Sequence, residues 1–311
     1  VRKLLEWIVY VGFRLAWSTL AVLPLARARA GLEGVAVLVE RLDRRHRRVI
    51  DDNLGIAFPQ WSRQRVAEVR RAAFANWGRI AAELTHESEF VERADALLLD
   101  EVKQVADELL GRGRGLLVLT AHLGNFELLA RVWGRRTGGR LASFHRPLNN
   151  PLVDRYLLDG RAASGLRTLP RRRGIIVREA LRVLARGEIF VVPLDQNQPH
   201  GRGVFVDMFG KPACTSTMLA RLALAAQAPV LPVFAAWKGE GLVAVLGEVI
   251  EVPRGAASLR GQQRQALLLE LTSRYTAAIE GAVRAFPQQW NWAHRRWKTR
   301  PESEQKALGR K

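Results

Sequence analysis

Gly115–Glu127 reads G-L-L-V-L-T-A-H-L-G-N-F-E. Four apolar, partly β-branched residues, Leu116–Leu119, stop at Thr120, and Gly124 and Asn125 break the run before a helical pattern resumes at Phe126. This is a short buried strand, a turn and a new helix. In open α/β sheets such strand ends face the ligand crevice, which puts His122 and Glu127 where chemistry is done. Their five-residue spacing places them on different faces of an ideal helix, but a loop entering the first turn can fold them together. Glu127 would then hold one imidazole nitrogen and leave the other free as a base. The same spacing equally fits a helix-capping His122 and an ordinary first-turn Glu127 favoured by the helix dipole.

Outward from this stretch, helices and short apolar strands alternate. Helix 101–110 leads to strand 116–120, helix 126–136 to strand 141–144, helix 151–164 to strand 166–169, and helix 175–185 to strand 189–194. A long polar loop follows, then helix 216–226, strands 230–236 and 242–249, and a final helix 259–284. The alternation predicts an α/β fold, a mixed, largely parallel sheet flanked by helices. Pro229 and Pro232 around one strand start fit an edge or a shaped entry better than a central ladder. Ser62–Leu84 reads as a helix capped by Ser62, with a break at Phe58-Pro59 before it. The expected organisation is an N-terminal membrane-anchor helix (1–30), a helical part (31–98) and an α/β catalytic core (99–311), packed as one unit.

The anchor rests on Leu4–Leu25, long enough to cross a bilayer at about 20 apolar residues. Glu6 and Arg14 interrupt it, and Trp7, Tyr10 and Trp17 are interface-type aromatics. The segment either spans, lies in the interface, or is an amphipathic core helix. Arg41–Arg48 (R-L-D-R-R-H-R-R) is a solvated helix face or a contact for anionic headgroups, at about 1 kcal/mol per basic residue. The chain has 311 residues, 48% hydrophobic, with a formal net charge of +19. That charge favours nucleic acid, an anionic membrane or an acidic protein partner without choosing among them. The single cysteine, Cys214, excludes an intrachain disulfide and reads as a buried packing residue.

Further strand ends deliver His145-Arg146-Pro147 and Asp195-Gln196-Asn197. Of the six histidines, His145 is the rival base, although Arg146 disfavours its protonation and no acid lies near it in sequence. His200 sits in a Gly/Pro loop and His294 in a Trp/Arg cluster. Arg171-Arg172-Arg173-Gly174 opens a helix and suits a phosphate or carboxylate, or is simply a solvated charge run. No G-x-S-x-G elbow supports a covalent serine mechanism.

The block order H-x4-E, an arginine after a short strand, a polar loop after another, and P-V-L-P-V resembles the glycerolipid acyltransferase superfamily. Within it, the chain resembles the late (lauroyl and myristoyl) acyltransferases of lipid A biosynthesis. The blocks are N-L-G-I-A-F-P (53–59), F-H-R-P-L-N-N-P (144–151), L-D-Q-N (194–197), G-V-F-V-D-M-F-G (203–210) and W-N-W-A-H-R-R-W-K-T-R-P (290–301). The resemblance implies His122 as general base, Glu127 as its orienting acid and Arg146 as oxyanion stabiliser. It implies Asn125, Asp195, Gln196 and Arg171 as substrate-binding residues, with Asp195 shaping the acceptor site. It further implies acyl carrier protein as donor, a glycolipid acceptor, no cofactor or metal, and residence at the cytoplasmic face of the bacterial inner membrane. The insert L-G-N-F between His122 and Glu127 also resembles relatives acting on other glycolipids, such as phosphatidylinositol mannosides. Two other classes stand beside this one: a basic nucleic-acid-binding protein, which lacks a helix-turn-helix, zinc or RNP signature, and a metallohydrolase using His122, Glu127 and Asp195, which lacks compact ligand spacing.

Overall fold

A computed structural model describes residues 2–92, 99–170, 175–253 and 255–307. Six helices come first: α1 (Arg2–Val22), α2 (Leu25–Leu42), α3 (Arg44–Ala57), α4 (Arg63–Thr85), α5 (Glu87–Glu92) and α6 (Leu99–Leu110). The alternating part runs β1 (Leu116–Thr120), α7 (Phe126–Arg136), β2 (Leu141–His145), α8 (Pro151–Ala163), β3 (Leu166–Pro170), α9 (Ile175–Ala185) and β4 (Ile189–Pro193). It continues with β5 (Val204–Met208), β6 (Lys211–Thr215), α10 (Met218–Ala226), β7 (Val230–Lys238), β8 (Gly241–Leu246), α11 (Gly261–Ala285) and α12 (Glu302–Ala307).

The expected α/β architecture is what forms. Six strands make one sheet in the order β3-β2-β4-β1-β7-β8, parallel except for β8 against β7. Strand residues alternate between two cores, as the pleat requires. Leu117, Leu119, Phe190 and Val192 join α9, α10 and α11 on one face. Val118, Val191 and Val233 join α6 and α7 on the other. These helices therefore bury their apolar stripes against the sheet, and both faces are covered.

Two sequence expectations need correction. Pro232 does not mark an edge, because β7 lies between β1 and β8. The ladder with β1 ends at the pair Leu119–Pro232, and the ladder with β8 begins at Val233. The proline sits where β7 exchanges one neighbour for the other, so its missing N–H interrupts neither. The loop after β4 also contains a hairpin, β5–β6, turned by Phe209 (φ 57°) and Gly210 (φ 72°). Positive φ at both central residues gives the twist that a two-residue hairpin needs. Strands five residues long among Gly, Pro and Lys left no clear alternation to read.

The N-terminal helices pack on one another and feed residues into both cores, Ile50, Leu54 and Phe74 into one and Phe90 into the other. Ser62 caps α4 by accepting from the Arg65 amide, as expected. The helices α2 and α4 meet closely at Gly78, where a Cβ would lie 2.5 Å from the Leu32 carbonyl oxygen. The helix α1 is long and apolar enough to cross a membrane and has no buried residue. Phe13 and Trp17 contact Tyr156 of α8 edge-on, and Asn150 donates to the Glu6 carbonyl at 2.7 Å. Its other side leaves Leu4, Leu5, Trp7, Ile8, Val9 and Leu15 exposed.

Candidate active site

The strand order brings the ends of β1 and β4 side by side. Thr120 and Pro193 are register partners, so the residues two beyond each, His122 and Asp195, emerge as neighbours. Asp195 accepts from the His122 backbone amide at 2.9 Å through Oδ2 and meets His122 Nδ1 at 2.8 Å through Oδ1. Trp290 Nε1 donates to Oδ2 at 2.8 Å. With Nδ1 donating to a buried carboxylate, the neutral ring keeps its lone pair on Nε2. Gln196 Nε2 lies 3.4 Å from that nitrogen. The imidazole stands edge-on to Phe126, with ring centres 4.8 Å apart.

Electrostatics reinforce this pairing. Burial opposes the charged form of both groups, but the mutual attraction and hydrogen bonds outweigh it. The His122 pKa ends above the ordinary histidine value, and Asp195 lies far below the usual carboxylate range. The turn between them and α7 is set by Gly124 (φ 52°), where a Cβ would sit 2.5 Å from the Ala235 carbonyl oxygen.

Glu127, the expected partner of His122, is engaged elsewhere. Its position in the first turn of α7 directs it to Arg131, four residues on, which donates at 2.9 Å. Arg161 of α8 closes on the same carboxylate with two bonds, 2.8 and 2.5 Å. Burial favours the acid form of Glu127, yet the two guanidiniums hold its pKa below the ordinary value. Arg131 in turn reaches Glu87 at 3.1 Å. The imidazole is thus oriented by Asp195, and Glu127 anchors an arginine in the cavity wall. Asp195 correspondingly does not shape an acceptor site: both its oxygens are committed to His122 and Trp290.

Asn125 is not placed to touch a substrate either. It is fully buried, accepts from the Leu128 amide as the cap of α7, and donates to Glu83 at 2.9 Å. Glu83 also accepts from Arg29, Arg79 and Trp237 Nε1, tying α2, α4 and β7 to the turn that carries His122. Gln196 and Arg146 do line the cavity beside His122. Arg146 is exposed, and among the described residues no carboxylate lies within ion-pair distance of it. Arg171 lies outside the described residues. His145 has an acid after all, since Asp154 meets its Nε2 at 2.6 Å across nine residues of chain. His294 accepts from the Asn197 amide at 2.9 Å, and its burial pushes its pKa down. The proposed metal-ligand set is divided, with Glu127 turned to its arginines. Among the described residues no three His, Cys, Asp or Glu side chains gather to hold an ion.

Two contributors went unnoticed in the sequence, Arg161 and Arg131, and Trp290, quoted only as part of the block 290–301, was given no role there. The indole belongs to a segment, 289–299, that passes behind both strand ends. Gly124 donates to the Gln289 carbonyl, Asn291 to that of His122, and Leu123 bridges to Trp290. Asn197 and Thr299 exchange hydrogen bonds. Arg296, fully buried, donates to the Cys214 carbonyl and the Thr215 hydroxyl, and burial lowers its pKa to about 10. Cys214 is the packing residue expected.

From His122 a cavity of about 320 Å³ runs inward between the sheet and α7. Polar groups ring its mouth: His122, Glu127, Arg146, Arg161 and Gln196. Its interior is apolar, lined by Val118, Leu129, Trp133, Leu166, Val191 and Val233. Arg161 Nη1 is buried there with no hydrogen-bond partner among the described residues. A carboxylate-paired histidine and arginines beside an apolar cavity are an arrangement that suits transfer of an acyl group onto a hydroxyl.

Sequence comparison carries this class to a family. Residues 1–299 match the bacterial lipid A biosynthesis acyltransferases, and the chain belongs to that family. It is similar to a lipid A biosynthesis lauroyltransferase of Escherichia coli (strain K12), 25% identical over 308 residues, covering 95% of this chain and 93% of that protein. A lipid A biosynthesis acyltransferase of Haemophilus influenzae is 24% identical over 293 residues, covering 92% and 86% of the two chains.

Proposed function

We propose that the protein is a membrane-associated O-acyltransferase that moves a fatty acyl chain from an acyl-carrier-protein thioester to a hydroxyl of a lipid A precursor. The observation that carries this is the His122–Asp195 pair at the head of the apolar cavity. The acyl chain occupies the cavity with its thioester at the mouth. His122 Nε2 takes the proton of the acceptor hydroxyl, whose oxygen attacks the thioester carbonyl carbon. Arg146, exposed at the cavity, donates to the oxyanion. Collapse breaks the C–S bond, the departing thiolate takes the proton from His122, and the new ester remains. Family membership supports a lipid A precursor as acceptor. The Gly124-Asn125 insert supports a second acceptor class, such as a phosphatidylinositol mannoside.

The exposed apolar residues of α1, with the exposed Leu148 and Leu152, support seating in a bilayer. The cytoplasmic face of the inner membrane is where a carrier-bound donor would reach it, and the basic surface suits an acidic carrier.

The test incubates detergent-solubilised protein with long-chain acyl carrier protein and a panel of lipid A precursor and glycophospholipid acceptors, read by product mass. One new ester is expected, and folded protein yielding none from any acceptor would defeat the reading. Arg146→Ala should lower kcat by about 10²-fold, the scale of losing one oxyanion donor, with the melting temperature unchanged because the side chain is exposed. Leu166→Trp should fill the cavity and shift the preferred donor to shorter chains, measured by competition between acyl carriers of graded length. An unaltered preference would place the chain elsewhere.

A further inference from the structure

A second groove, of about 790 Å³, opens beside the first between the β4–β5 loop, α9, α10 and α11. Ser216 and Met218, at the start of α10, line both. The groove and the cavity therefore adjoin at these two residues. Two arginines line it, Arg202 and Arg221, and both are exposed. Arg221 Nε donates to the Thr217 hydroxyl at 3.0 Å, and among the described residues neither arginine has a carboxylate within ion-pair distance. The buried and half-buried guanidiniums of this chain are mostly held by acids, as at Glu40, Glu83, Glu87 and Glu127. Arg202 and Arg221 differ in sharing one groove, and two exposed cations there suit an external anion. The remaining lining mixes amide side chains, Gln262 and Gln265, with the apolar Val177 and Leu269.

We infer that this groove binds the phosphate-ester arm through which the acyl thioester is carried, a reading that rests on the carrier-thioester donor proposed above. The arm joins an anionic phosphodiester at one end to a thiol at the other, through two amides and a branched hydrocarbon. Arg202 and Arg221 meet the phosphate, Gln262, Gln265 and Ser216 meet the amides, and Val177 and Leu269 meet the methyl groups. The sulfur end then reaches Ser216 and Met218, at the junction with the acyl cavity. Phosphate at this distance from the chemistry contributes uniform binding, so its loss raises KM and leaves kcat.

Calorimetric titration of the full chain with 4′-phosphopantetheine and with dephosphorylated pantetheine tests the groove without turnover. The phosphorylated compound is expected to bind roughly 10-fold tighter, as charge-assisted hydrogen bonds require. The preference should vanish in R202A/R221A and survive in part in R202K/R221K, with all three proteins melting alike. Equal affinity for the two compounds in the unaltered protein, or a preference that persists in R202A/R221A, overturns the assignment. In the transfer assay R202A/R221A should raise the KM for acyl carrier about 10-fold and leave the acceptor KM unmoved. A rise in the acceptor KM alone would assign the groove to the acceptor's phosphate and likewise overturn it. Absence of transfer from any carrier thioester by the unaltered protein would instead defeat the donor reading, which the binding comparison does not depend on.

Discussion

Asparagine at position 195 should lower kcat by about 10³–10⁴-fold, the scale seen when a histidine base loses its orienting carboxylate. The carboxylate accepts from Nδ1 and fixes the tautomer with the lone pair on Nε2. An amide can turn its N–H toward the ring and reverse that tautomer. The pH profile separates this role from mere packing. Asp195 raises the His122 pKa against the effect of burial, so the base is free only above a value higher than an ordinary histidine's. The acid limb of kcat/KM should lie correspondingly high. In Asp195→Asn the attraction is gone and burial remains, so that limb should move to lower pH while the plateau falls. His122→Ala should lose a similar factor, and the double variant little more, because the two act as one unit. A limb that stays in place would remove Asp195 from the base.

Glu127→Ala should destabilise the fold by about 3–5 kcal/mol, the cost of stranding buried charge. Arg131 is 4% exposed, and Arg161 has both its Glu127 bonds to lose. Arg131 keeps Glu87, which favours the lower end of that range. Denaturant unfolding measures this, and activity should fall as well, because Arg161 is released from the cavity wall. Since the Glu127 pKa is depressed in the fold, its stabilisation is complete above the free value of about 4.3. It disappears as pH falls through the lower folded value. Glu127→Gln should therefore flatten the acid side of the stability profile. A loss below about 1 kcal/mol with full activity would show that the arginines find other partners.

How much of this was legible in the chain follows from which interactions are local. Apolar runs bounded by Gly and Pro located six strands, and the break at Gly124-Asn125 placed α7 at Phe126. His122 stood out because a strand end delivers it. Its partner did not, because adjacency of β1 and β4 is a property of strand order, which joins residues 73 apart in sequence. One signal was present: His122 and Asp195 both stand two residues past a strand end, and parallel neighbours in register bring such positions together. The H-x4-E spacing drew attention to Glu127 instead, whose true partners lie four residues ahead on its own helix and 34 residues away on α8. Asn125 looked available, but its amide is consumed by Glu83, from a helix formed 42 residues earlier. His145 seemed to lack an acid only because Asp154 folds back from α8.

The segment 289–299 holds the backbone of His122 and the carboxylate of Asp195 in place. During synthesis the strands that bear those two residues emerge well before it. A ribosome-bound chain that has reached α11 thus has both chemical groups but lacks the brace that aligns them. The alignment of the two groups is therefore completed only after the sheet and the helices around the cavity have been made.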